Sequence, residues 1–470
     1  MATGKVEHPT LEERHDAGRA ARKRTPRLSH EGWMPADDRP DPVALLAEQD
    51  ESREPDLVPV RHGRMMVSPF TFYRGAARIM AADLKDVPRS GLDVQLCGDA
   101  HLSNFGVYAS PERTLLFDLN DFDETLPGPF EYDVARLAAS FTIAAQNNGF
   151  TKEDARAATE ASITAYRTAM REFAQMRTLD VWYSRLDAES LLQKAASEAS
   201  KHEQKAVARG EKVLEKARTK DSLQALSKLT EIVDGRHRII STPPVVVPAR
   251  DLYETYGMSP DEVHDAVHGM LRAYRSTLTD DRRHLLERFE LVDLARKVVG
   301  VGSVGTRAWI VLLQGRDGED PLFLQVKQAT RSVLEDHLPK SKFRQPGERV
   351  VQGQRLMQAA SDIFLGWTKG VQADIHYYWR QLRDMKGSSD PERMIPASMN
   401  FYAGACGWTL ARAHARSGDP VAIAAYLGKG REFDHAMGDF AVRYAEQNLR
   451  DYDAFVAAIK SGKLEATEGV

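Results

Sequence analysis

Apolar residues first fall into a sustained period from Phe70 to Leu84 (FTFYRGAARIMAADL), recurring every three or four positions and predicting a helix that ends near Pro88. Upstream, residues 1–60 are polar, rich in Pro, Arg and Asp, and without period, so ordered structure is expected from about Ser68. Two short apolar runs follow, Val94 with Leu96 and then Leu115-Leu116-Phe117, which read as strands beside polar turns. Glu131 to Ala145 (EYDVARLAASFTIAA) predicts a buried helix, and Thr151 to Met176 a second with Thr151 as its N-cap. Residues 189–233 form a charged, amphipathic helical pair; tandem prolines in Ser241 to Pro248 then exclude helix, which resumes from Ser259 to about Arg288.

Near residue 291 the period changes to that of strands. Val298-Val299 leads into GVGSVG (Gly300 to Gly305), then Arg307 to Leu313 (RAWIVLL), a GRDGEDP turn, and Leu322 to Lys327 (LFLQVK). Two β-rich runs about a Gly/Asp turn predict a hairpin. A helix with Glu348, Gln352 and Arg355 follows, then a strand from Tyr377 to Leu382, and helices over Phe401 to Arg416 and Phe433 to Leu449. The expected architecture is α+β in five segments: a polar N-terminal arm (1–67), a segment with the polar loops (68–150), a helical segment (151–290), a small β-rich part (291–385), and C-terminal helices (386–470).

Composition narrows the class. The chain has 470 residues, 42% of them hydrophobic, and 64 Lys and Arg against 68 Asp and Glu. That balance argues against a dedicated nucleic-acid or membrane-surface protein. Two cysteines, Cys97 and Cys406, cannot build a disulfide framework and point to a reducing, cytoplasmic setting. No apolar run reaches the roughly 18 residues of a membrane span, and no signal-like segment opens the chain.

The candidate chemistry lies in residues 96–123, LCGDAHLSNFGVYASPERTLLFDLNDFD. Asp99 is the candidate that orients, and can deprotonate, an acceptor hydroxyl. Asn104 offers a carboxamide oxygen to Mg²⁺. Asp118 closes an apolar strand and would bridge Mg²⁺ to ATP phosphates, with Asp121 the alternative ligand and Asp123 crowding the same loop. Taken singly these residues also suit Asx turns. His101 is read as holding the loop, with a phosphate contact the alternative, Asp133 as capping or tethering its helix, Cys97 as a buried thiol, and Arg74 as a salt-bridge partner or a phosphate contact. The run Arg19 to Arg24 reads as a solvated arm or a polyanion grip.

Gly300-x-Gly302-x-x-Gly305 matches both a dinucleotide-binding turn and a kinase phosphate loop. The strand that follows, and the lack of an acidic residue at a second strand's end about twenty positions on, favour the kinase-like reading. Gly300, Gly302, Ser303 and Gly305 would then cover the phosphates, and Lys327 would reach the α- and β-phosphates from the next strand. Its carboxylate partner is expected on the following helix, Glu348 first and Glu335 second.

CGDAHLSN, LLFDLND and EYDVARLA together resemble the signature of aminoglycoside- and choline-kinase-type phosphotransferases in the protein-kinase-like superfamily. Asp99, His101, Asn104, Asp118 and Asp133 fall on its positions, and Cys97 replaces its first His. FYRGAARIMAADL, GVGSVGTR, LQVKQA, ERVVQGQRLMQAASD and YWRQLRDMKGS are similar to the bacterial family catalogued as domain of unknown function 2252. The resemblance implies a two-lobed protein-kinase-like fold with ATP and Mg²⁺ as cofactors. The glycine loop follows the catalytic motif instead of preceding it, which implies circular permutation with the new termini in the helix-rich large lobe. The expected activity is phosphoryl transfer to a small-molecule or protein hydroxyl. AMP transfer, as in the selenoprotein O family, and a non-catalytic nucleotide-binding scaffold are the alternatives.

Overall fold

The computed structural model describes residues 7–469 except 201–202, 254–256, 258, 299, 373 and 383, so Val299 on the approach to the glycine loop lies outside the described residues. Helix takes 53% and strand 15%, and every strand pairing among the described residues is antiparallel, which makes the chain α+β. The strands in chain order are β1 Asp93–Leu96, β2 Phe105–Ala109, β3 Leu115–Leu119, β4 Leu126–Pro129, β5 Leu186–Asp187, β6 Thr230–Val233 and β7 Arg236–Ile239. They continue as β8 Val246–Pro248, β9 Glu290–Lys297, β10 Ala308–Gln314, β11 Pro321–Ala329, β12 Gly366–Lys369 and β13 His376–Gln381.

The largest core is helical. Phe130–Asn147, Lys152–Phe173, Pro396–Ser417 and Glu432–Lys460 bury Leu137, Phe141, Tyr166, Leu410 and Phe440 together with Leu96, Phe105 and Phe117 from β1 to β3. Local rules explain the helix starts: the Thr151 side chain accepts from Asp154 N–H and so satisfies one of the orphan donors of the first turn. The short pairs β1–β4 and β2–β3 lie on this helical body and end in the polar loops.

The second body is a sheet in the order β12-β13-β11-β10-β9-β8. Along β11 the side chains alternate, so Leu322, Leu324 and Val326 pack on one face under helix Pro260–Arg275, where Tyr274 stacks on Trp379 at 4.5 Å. Phe323, Gln325 and Lys327 share the other face. Its far end is covered by helix Ser222–Leu229, while the Lys327 end meets the loop after β3. Register places Lys327 opposite Ala308 on β10 and Tyr378 on β13.

Three expectations need correction. Order begins well before Ser68: among residues 7–67, helices Leu11–Arg24, Pro42–Asp50 and Val58–Met65 pack on the body and bury Leu46, Val60 and Met65. Polar contacts substitute for apolar period there. Arg14 forks onto Asp419 at 2.8 Å, and Arg22, from the basic run, donates to Tyr426 O at 2.7 Å. The Phe70–Leu84 helix is broken at Ala76 (φ −106°, ψ 30°) into Pro69–Gly75 and Ala77–Leu84. Finally, 151–290 is not one unit, because Lys152–Phe173 belongs to the helical core and Ser222–Leu286 covers the sheet. Both cysteines are buried and free.

Candidate active site

Strand β1 delivers the chain to Gly98, whose φ of +84° turns it sharply. A Cβ at Gly98 would lie 2.3 Å from the Glu124 carbonyl oxygen, so only glycine lets the residue before Asp99 touch the residue after Asp123. Asp133 holds this turn by accepting from the N–H groups of Cys97 and Gly98 at 2.8 and 3.0 Å, and it also meets His414 Nε2 at 3.2 Å. Asp133 thus tethers the loop of Asp99, not only its own helix. One turn further along, Arg136 donates from Nε to Asp99 Oδ1 at 2.8 Å and from Nη2 to Tyr73 O. His101 is buried 3.6 Å from Asp99. Burial, reinforced by the charges of Arg74 and Arg136, lowers its pKa to about 3 and keeps the ring neutral. Asn104 donates from Nδ2 to Asp99 O at 2.8 Å, and its Oδ1 accepts no hydrogen bond from the described residues.

The three aspartates after β3 part company. Asp118 is 1% exposed and fully engaged. It pairs with Arg412, accepts from Ala359 N–H and Leu119 N–H at 2.8 Å each, and receives the Tyr108 hydroxyl. The metal role expected of Asp118 therefore does not fit: its carboxylate is consumed inside the helical body by an arginine from Pro396–Ser417. Asp121 and Asp123 instead face the sheet, 30% and 27% exposed, and both meet Lys327. Asp123 also accepts from the Tyr378 hydroxyl at 2.9 Å and the Ser303 hydroxyl at 3.4 Å. Burial pushes both carboxyls up. The Lys327 ammonium and its hydrogen bond win at Asp123, which lies below the ordinary range, whereas repulsion from Asp123 leaves Asp121 above it. Burial would lower the Lys327 pKa, but the two carboxylates outweigh it and hold the ammonium above its ordinary value.

The glycine loop joins β9 to β10 and reaches this cluster through Ser303. A Cβ at Gly302 would stand 3.0 Å from Arg74 O, which puts the loop in contact with the end of helix Pro69–Gly75. The N-terminal residues clamp the loop from outside: Glu54 N–H donates to Gly305 O at 2.7 Å, Arg64 to Gly300 O at 2.6 Å, and Arg53 to Val304 O. Lys327 and Ser303 of the glycine loop thus meet on Asp123, while the Asp99 turn touches the same acidic segment through Gly98 and Glu124.

Neither carboxylate expected to pair with Lys327 does so. Glu335 is turned to Arg331 and Arg349, and Glu348 lies outside ion-pair distance of any described cation. The helix Pro346–Met357 contributes its next residue instead. Arg349 is 2% exposed and donates to the carbonyls of Asp123, Thr125 and Thr330 at 2.7, 2.5 and 2.9 Å, fixing the acidic loop by its backbone.

A family model for uncharacterized proteins conserved in bacteria (DUF2252) matches residues 53–458. The chain belongs to that family. No curated protein matches it, and no solved structure does. In this DUF2252 chain the matched span takes in the Asp99 turn, the acidic loop, the glycine loop and Lys327.

Two contributors to the DUF2252 site were missed in the sequence, and a third, Asp123, was named only as crowding the loop. Its partner Lys327 lies 204 residues away, so nothing in the local pattern ranks Asp123 above Asp121. Arg136 follows Asp133 by three residues, so helical spacing alone places both on one face. Arg349 carried no signal, since its partners are backbone carbonyls more than two hundred residues away.

Proposed function

We propose that this chain is an ATP- and Mg²⁺-dependent phosphotransferase of protein-kinase-like architecture that acts on a small-molecule or protein hydroxyl. The reading is carried by one observation: Lys327 and Ser303, from the sheet and its glycine loop, converge on Asp123 from 204 and 180 residues away. Supporting it, β9, the glycine loop, β10, β11 with Lys327, and helix Pro346–Met357 follow one another as do the parts that cover ATP in kinases. Their position after the Asp99 loop makes the fold a circular permutation, with the termini among the helices of the large lobe.

The donors suit Mg²⁺. This ion takes one or two carboxylates and completes its shell with water and phosphate oxygens, so it needs no cage of protein ligands. Among the described residues no cluster of three or more His, Cys, Asp or Glu forms such a cage. Asp121, Asp123 and the free Oδ1 of Asn104 would hold the metal, whose chemistry is to neutralise charge on the phosphate oxygens. Lys327 would exchange part of its aspartate pairing for the α- and β-phosphates. Asp99, held rigid by Arg136, would align the acceptor hydroxyl. Its oxygen bonds to the γ-phosphorus, the bond to the β–γ bridging oxygen breaks, ADP leaves, and the hydroxyl proton passes toward Asp99. Alignment supplies most of the rate in such reactions.

Incubation with Mg²⁺ and either γ-labelled or α-labelled ATP tests this. Transfer of the γ label is the expected result. Transfer of the α label assigns AMP transfer to the same cleft. Neither label, with no nucleotide-dependent rise in Tm, would favour a non-catalytic scaffold.

A further inference from the structure

We infer that Arg74 is an anion-binding group of this cleft and takes the γ-phosphate of the bound nucleotide, an assignment that rests on the ATP reading above. Arg74 sits at the end of helix Pro69–Gly75, partly buried, with its Nε wholly buried. It makes no hydrogen bond or ion pair with any described residue. Its neighbours behave differently. Arg61 is tied to Asp50, Gln49 and Gly75 O, and Arg136 to Asp99 and Tyr73 O.

A guanidinium stays charged under all ordinary conditions, so burial without a counter-ion costs stability unless an anion arrives. Burial does lower the Arg74 pKa, with Asp99 and Glu392 acting against it from a distance. Asp99 is not its partner: two Arg136 nitrogens sit on Asp99 Oδ1, at 2.8 and 2.7 Å, His101 is the group nearest Oδ2, at 3.6 Å, and Arg74 forms no ion pair with either oxygen.

Position identifies the anion. The Arg74 backbone touches Gly302 of the phosphate-covering loop, and its charge bears on Asp99 and on His101, whose buried Nδ1 also has no partner. Arg74 is thus joined by its backbone to the loop, with an unpartnered side chain whose charge reaches the Asp99 turn. Lys327 with Asp121 and Asp123 forms the separate cluster for the inner phosphates. The terminal phosphoryl group is the part of ATP that comes between the two, and its equatorial oxygens match the planar fork of an arginine.

Calorimetric titration of the full-length protein with Mg²⁺–ADP and with the non-hydrolysable triphosphate Mg²⁺–AMP-PNP tests the assignment. For Arg74→Met the affinity for AMP-PNP should fall about tenfold or more while that for ADP is unchanged. Arg74→Lys should recover part of the loss. Because the wild-type side chain has no partner among the described residues, Arg74→Met should melt at or above the wild-type temperature and Arg74→Lys near it, and Arg74→Lys carries the test if Arg74→Met does not fold. A wild-type ratio of the two affinities in the variants overturns the role of Arg74 alone. A wild-type protein that binds neither nucleotide overturns the ATP reading and this inference with it.

Discussion

Arg136 holds the Asp99 carboxylate at 2.8 Å from the same helix on which Asp133, one turn earlier, holds the backbone before Asp99. One rigid element therefore sets both the position and the rotamer of the residue proposed to align the acceptor. Arg136→Lys keeps a positive charge but removes the fork. Phosphoryl transfer should fall about 10²-fold through lost alignment, with nucleotide affinity unchanged. Steady-state rates beside calorimetry check this, and an unchanged rate would remove Arg136 from the positioning role.

Asp133 is buried, and its oxygens serve two backbone N–H groups and His414. Asp133→Asn places an amide against a donor. The variant should lose about 2–4 kcal/mol of stability, read by urea unfolding. A wild-type midpoint would mean that the turn at Gly98 holds itself.

Asp118 and Asp121 should separate cleanly. Asp118→Asn leaves Arg412 buried without its counter-ion, so stability should drop by about 3–5 kcal/mol, yet the folded fraction should keep Mg²⁺-dependent nucleotide binding. Asp121→Asn removes repulsion against Asp123, so stability should hold or rise while Mg²⁺-dependent binding is lost. Thermal shifts with and without Mg²⁺–ATP distinguish the two patterns, and the reverse assignment would return the metal to Asp118.

Glu131 gives a pH signature. Burial raises its carboxyl to about 7, although Ser90 N–H donates to Oε1 at 2.8 Å. The folded chain therefore keeps this proton between about pH 4.5 and 7 while the unfolded chain has released it, and stability falls as pH rises through that window. Glu131→Gln should be more stable than wild type at pH 8, by on the order of 3 kcal/mol, with the difference vanishing near pH 4.5. Parallel urea titrations at the two pH values decide it, and a pH-independent difference would rule out the titration of Glu131 as its source.

Local pattern carried most of the elements. The buried helix at Phe130–Asn147, the Thr151 cap, and the hairpin of β10 and β11 follow from period and turn residues within a few positions of each other. The polar loop with Asp99 and Asn104, and Lys327 at a strand end, were legible for the same reason. The N-terminal helices were not, because side chains such as Arg14 and Arg22 find their partners near residues 419–426. Nor was the split of the 151–290 segment, since amphipathic helices declare a buried face but not the surface that buries it.

The sequence by itself determined which residue types are present and on which element or turn each stands. Only the tertiary structure decided which of them meet. In Asp118-Leu-Asn-Asp121-Phe-Asp123, three carboxylates lie within six residues and look alike along the chain. Arg412, 294 residues away, takes the first into the helical core, and Lys327 draws the other two into the cleft. A carboxylate's role follows from the charge that faces it, and that charge acts through space, at separations local period does not encode.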